Sequence, residues 1–334
     1  MSSAAIGARD LFALVRKGID AEAIGARVRK PFRFLLCGDC ALVAELRALL
    51  LSGHAGVVPP EAAACLETIP SDGSAMLQDA QSRAVLFLGG PGDLAGANIA
   101  VLEPLGLPIL CITVDAHEQP AGPPTPPLGG TWAEYVVPSL APAALRARVF
   151  PHLVECSRGA EIAVGRALAP LRESVAAKLT RDAAANSLKV AIASAVVDHI
   201  PLVGLVLGAM ASAGDIVAIT GIQIVLLMHI EAAYGKDPDV QRLWRLLPVI
   251  GGGLGWRALA RELAGFVPVA GIAIKGAIAY AGTIVVGEGV TFFLEHGNHM
   301  TKQDATVLYE QTKSDALRFA RDLVTKLRKP GEGT

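Results

Sequence analysis

The sequence predicts an α/β domain with a mostly parallel sheet, followed by an all-helical domain of unusual apolarity. Two observations carry this. Residues 32–156 alternate short, continuous apolar runs with helix-like stretches, as strands covered on both faces do. Residues 190–294 hold most of the excess apolar content of a 334-residue chain that is 52% hydrophobic and only 18% charged, below the quarter usual for soluble domains. Net charge is −1, so nothing in the bulk composition points to nucleic acid.

Taken in order, residues 1–30 read as an amphipathic helix dotted with Arg and Lys, without a continuous apolar stretch, and the N-terminal half is expected in the cytoplasm. Strands are expected at Phe32–Cys37, Ala64–Ile69, Ala84–Leu88, Pro108–Val114 and Ala133–Val137. Helices are expected between them at Ala41–Leu51, Ser74–Ser82 and Ala97–Leu105, and after them at Pro142–Cys156. The five prolines of Pro120–Gly130 require an extended surface loop. Residues 157–189 form a connecting helix. Its apolar stripe is Val164, Leu168, Leu171, Val175 and Leu179, and Pro170 is placed to kink it.

The apolar domain, 190–297, contains an internal echo. Ile200-Pro201-Leu202-Val203-Gly204-Leu205 returns 67 residues later as Val267-Pro268-Val269-Ala270-Gly271-Ile272, each copy leading into a helix rich in small residues. This predicts a pair of related helical hairpins, packed closely through their small side chains. The apolar segments Pro201–Gly214, Ile216–Ile230 and Phe266–Gly287 are marginal against the roughly 20 residues a spanning helix needs. Spanning, partial insertion and a soluble bundle core all remain open. Cations on every connection (Arg181 and Lys189, then Lys236, Arg242 and Arg245, then Lys302) fit hairpins that enter and leave a membrane on one side. Residues 298–334 end the chain as a charged amphipathic helix and tail.

Polar residues within the apolar block are expensive unless paired. Asp198, Asp215, Gln223, His229 and Lys275 are the candidate network, read either as an ion path or lipid-headgroup site or as a hydrogen-bonded core. Two sharper possibilities fail on composition. Cys37-x-x-Cys40 lacks the second pair that a structural zinc needs, and His296-x-x-His299 lacks further ligands. No metal site is expected. The five cysteines read as reduced thiols of a cytosolic domain.

The first strand runs into Gly38-Asp39-Cys40-Ala41-Leu42-Val43-Ala44-Glu45. A phosphate-binding loop G-x-x-x-x-G-K-[ST] belongs here, and only its first Gly is present. Leu86-Phe87-Leu88-Gly89-Gly90-Pro91-Gly92 has the Pro-Gly of a D-x-P-G motif without its Asp. Ile112-Thr113-Val114-Asp115 has the Asp of N-K-x-D without its Asn and Lys. With Val136–Ala141 in the place of the last strand and S-A-x loop, residues 31–156 resemble a degenerate Era/Ras-like GTPase domain. The resemblance implies a doubly wound, P-loop-GTPase-like sheet, no catalytic residues and no cofactor. The alternative is an active GTPase that holds GTP and Mg²⁺ through a non-standard loop, using Gly38, Asp39 and Asp115.

Asp215 to Gln223 with His229 and Tyr234-Gly235, Gly251 to Arg257, Phe266 to Gly271 and Ala279 to Thr283 resemble the YcjF-like family (domain of unknown function 697). That resemblance implies a helical module found behind Era-like domains at the bacterial inner membrane. The expectation is a non-catalytic scaffold or regulator on the cytoplasmic side of that membrane, with lipids and a protein partner or second copy as contacts. A soluble, cytoplasmic oligomeric interaction protein is the other alternative.

Overall fold

The structure is a computed structural model. It describes residues 21–54, 58–71, 80–93, 99–117, 132–197, 204–237 and 271–328, without the side chains of Ala21, Ala100, 194–197, 204–216, 271–272 and 319–328. Most of the expected helix Ser74–Ser82, the Pro-rich loop, Asp198 and the Gly251–Arg257 motif lie outside these residues.

The chain forms two compact units. One comprises Gly25–Lys178 with Ala232–Lys236, and the other Leu179–Glu231 with Asp237–Thr334 and the N-terminal Met1–Ile24. The first extends past the boundary expected at residue 156.

The α/β unit is built on a five-stranded, wholly parallel sheet. Its strands are β1 (Arg33–Gly38), β2 (Leu66–Thr68), β3 (Ser82–Gly89), β4 (Ile109–Val114) and β5 (Trp132–Val137), in the order β2-β1-β3-β4-β5. All five fall where the apolar runs place them. Phe34, Leu36, Ala84, Val85, Leu86, Leu88 and Cys111 are fully enclosed, as strands buried on both faces require. An ion pair, Arg33 to Glu67 at 2.7 Å, ties β1 to the edge strand β2.

The helices of this unit are the second half of α1 (Ala21–Val28), α2 (Cys40–Leu50), α3 (Pro60–Ala64), α4 (Pro142–Arg148), α5 (Phe150–Cys156) and α6 (Glu161–Ala167), followed by the first residues of α7 (Arg172–Val197). Three departures from expectation share a cause in proline. The stretch after β3 forms two short 3₁₀ turns, Ile99–Val101 and Glu103–Leu105, where Pro104 and the left-handed Gly106 prevent a longer helix. The helix expected at Pro142–Cys156 divides at Val149, because Pro151 cannot donate in the ladder. Pro170 breaks the connecting helix outright and leaves a 3₁₀ turn at Ala169–Leu171 between α6 and α7. Its predicted stripe holds, with Val164, Leu168, Leu171 and Val175 fully buried.

The helical unit contains the rest of α7, then α8 (Gly204–Ala233), α9 (Gly271–His296) and α10 (Lys302–Arg328). The two halves of the internal echo open α8 and α9: Gly204 and Gly271 are their first residues. Residues 204–214 of the segment read as Pro201–Gly214, and all of Ile216–Ile230, belong to one 30-residue helix, so Gly214 and Asp215 do not end it. Specific contacts fix the directions. Ala191, Ile219 and Ala279 cluster together, and Ser187, Gln223 and Thr283 meet one turn further on. Residue numbers rise together on α8 and α9 and fall on α7, so α8 and α9 are parallel and α7 is antiparallel to both. Small residues bring α7 and α9 close: a Cβ on Gly276 would lie 3.0 Å from Ile192, and one on Gly287 would lie 2.2 Å from Thr180 Oγ1. A turn at 297–301, with Gly297 at φ +73°, folds α10 back along α9.

Candidate functional site

In an open parallel sheet, ligands bind beyond the carboxyl ends of the strands, where successive connections leave in opposite directions. From β1 the chain passes to β2 on one side and then to β3 on the other, so this point lies between β1 and β3. The residues gathered there are Gly38 and Asp39 after β1, Gly89 to Asp93 after β3, and Asp115 to His117 after β4. The register pairs Gly38 with Leu88 and Gly89 with Thr113.

Gly38 is a forced glycine. Its φ is +110°, and a Cβ would lie 2.0 Å from the carbonyl oxygen of Leu88, which itself accepts the Asp39 amide at 2.9 Å. The backbone of β1 therefore closes tightly on β3 and turns at once into α2. Of the four residues between Gly38 and Val43, only Asp39 is outside the helix. A loop that wraps phosphate needs that stretch as loop. Ala44 and Glu45, in line with the Lys and Ser/Thr of the motif, are exposed positions on the body of α2, while Val43 is buried in the core.

The first free amides of a helix attract anions. Here they are occupied by the chain itself. The Asp39 carboxylate accepts from Ala41 N and Leu42 N, both at 2.9 Å. The Asp93 carboxylate accepts from Gly90 N at 2.6 Å, and the Asp115 carboxylate from His117 N at 2.9 Å. Each loop at this edge is closed by its own carboxylate, which satisfies local N–H groups and places negative charge where phosphate would go. The structure brings Gly38, Asp39 and Asp115 to the carboxyl ends of the strands, together with Asp93. A Cβ at Gly89, where the motif's Asp belongs, would lie 2.9 Å from the Asp93 Cβ. Among the described residues, no three His, Cys, Asp or Glu side chains converge as metal ligands.

Burial makes four of the five thiols hard to ionise. Burial pushes Cys37 and Cys111 up to about 12, with nearby Glu134 and Cys37 adding to the effect at Cys111, and pushes Cys65 and Cys156 up to about 11. Cys37 donates a long bond to Leu86 O, and Cys40 stands exposed at the start of α2. His296 and His299 stack on different rings, Phe292 at 4.3 Å and Phe293 at 5.1 Å.

In the helical unit, Gln223 is buried and its amide donates to Thr283 Oγ1 at 3.2 Å. The Thr283 hydroxyl lies 3.0 Å from Ser187 Oγ and 2.8 Å from Ala279 O. Three helices are thereby joined by one polar cluster. Ser187 and Thr283 were not among the expected network residues, because neither is costly enough alone to draw attention. His229 is buried on α8 and Lys275 is half-buried on α9. Asp215 lies in α8 with its side chain outside the description.

A cationic clasp closes the α/β unit around the end of α8. Arg166 donates to Lys236 O at 3.1 Å, and Arg172 donates to Gly165 O at 3.1 Å while lying over the Tyr234 ring. Cations suit the carboxyl end of a helix. Burial lowers the pKa of Arg172, with Tyr234 opposing the effect and Arg166 adding to it.

No family model matches the chain, and no curated protein or solved structure is significantly similar to it. The family resemblances therefore rest on the motifs alone.

Proposed function

We propose that this chain is a non-catalytic scaffold or regulator. In this reading a degenerate GTPase-like domain offers a docking surface on the cytoplasmic side of the inner membrane, and a YcjF-like helical module holds it to lipid. A protein partner, or a second copy, is its working contact. The observation that carries the non-catalytic part is the Asp39 carboxylate seated on the first amides of α2, in a connection too short to wrap phosphate. The membrane part is supported by α8, 30 residues long with Asp215 and Glu231 as its only charged residues, and by the apolar stretch Ala273–His296 of α9.

Two measurements on the full-length protein test it. Calorimetry with Mg²⁺-GTP should give no heat of binding at micromolar concentrations. A micromolar Kd weakened by Asp115→Ala would instead establish the active-GTPase alternative. Flotation with anionic vesicles should carry the protein upward. A monodisperse, lipid-indifferent oligomer would leave a soluble interaction protein as the correct account.

A further inference from the structure

We draw no further inference here: the strongest candidate, the outer edge of strand β5 with its exposed Trp132, carries nothing because nothing in the structure shows what covers it.

Discussion

The close approach of α7 to α9 can be tested by adding one carbon atom. A Cβ on Gly287 would lie 2.2 Å from Thr180 Oγ1, 2.5 Å from its Cγ2 and 2.8 Å from its Cβ. The first two atoms rotate with the side chain. The third is fixed to the α7 backbone, so Gly287→Ala must push the helices apart. Overpacking of this kind costs about 1–3 kcal/mol. Against it stands the helical preference for Ala over Gly, worth about 1 kcal/mol. The expected net loss is about 0–2 kcal/mol. Thr180 is buried, and its hydroxyl finds no hydrogen-bond partner among the described residues. Removing an unsatisfied buried hydroxyl returns about 1–3 kcal/mol, whereas the methyl lost with it costs about 0.8. Thr180→Ala should therefore be neutral to mildly stabilising. In the double variant only the 2.8 Å contact remains, and a small shift relieves it. The gain in helix propensity is then realised, and the protein should be about 1 kcal/mol more stable than the native chain. Urea melts of the four proteins, followed by circular dichroism, give the coupling energy of the cycle, expected at about 2 kcal/mol. Additive effects, or a Gly287→Ala variant more stable than the native protein, would show that these helices do not touch here. The level assigned to α7 beside α9 would fall with them.

Three further outcomes are expected. Gly38→Ala combines a positive φ with a carbonyl that cannot retreat, so it should cost about 3–5 kcal/mol in a denaturant melt; a loss below 1 kcal/mol would refute the tight β1–β3 closure. The pair Ala44→Lys with Glu45→Ser should confer no GTP binding by calorimetry, because both residues sit on the exposed body of α2 rather than in a loop; measurable micromolar affinity would revive the phosphate-loop reading. The thiols give a pH dependence: Cys37 and Cys111 ionise near 12 when folded, against 9 when unfolded. The unfolded chain loses these protons first. Stability should thus be unaffected by them below pH 9 and fall between 9 and 12, by about 1.4 kcal/mol per pH unit for each thiol. Melts across that range in native and Cys37→Ala, Cys111→Ala protein measure it, and identical slopes would refute the assignment.

The central strands β1, β3 and β4 were legible because burial on both faces leaves a continuous apolar run. The helix boundaries were less so. Pro104, Pro151 and Pro170 each stop or divide a helix, but whether proline kinks or breaks depends on how the flanking carbonyls are satisfied, which periodicity does not encode. The length of α8 was missed for the opposite reason. Gly214-Asp215 has the composition of a break, yet a helix packed against neighbours tolerates both residues. The echo around Pro201 and Pro268 falls mostly outside the described residues, which take up α8 at Gly204 and α9 at Gly271.

At the sheet edge, the sequence pointed to Gly38, Asp39 and Asp115 and left their roles open. Gly38, Asp39 and Asp115 occupy the edge where a nucleotide would bind, since the order of strands and turns puts them there. An aspartate at a helix start can serve a ligand or cap its own helix, and both uses demand the same residue in the same position. What separates them is the number of residues between strand and helix. With only Asp39 between β1 and α2, its carboxylate reaches Ala41 N and Leu42 N and fills the site. Asp93 repeats the device on Gly90 N, and Asp115 on His117 N. Three loops closed in one way, each by its own carboxylate, make the edge self-sufficient and electronegative. A carboxylate-lined edge of that kind repels phosphate, which supports the docking-face reading proposed above.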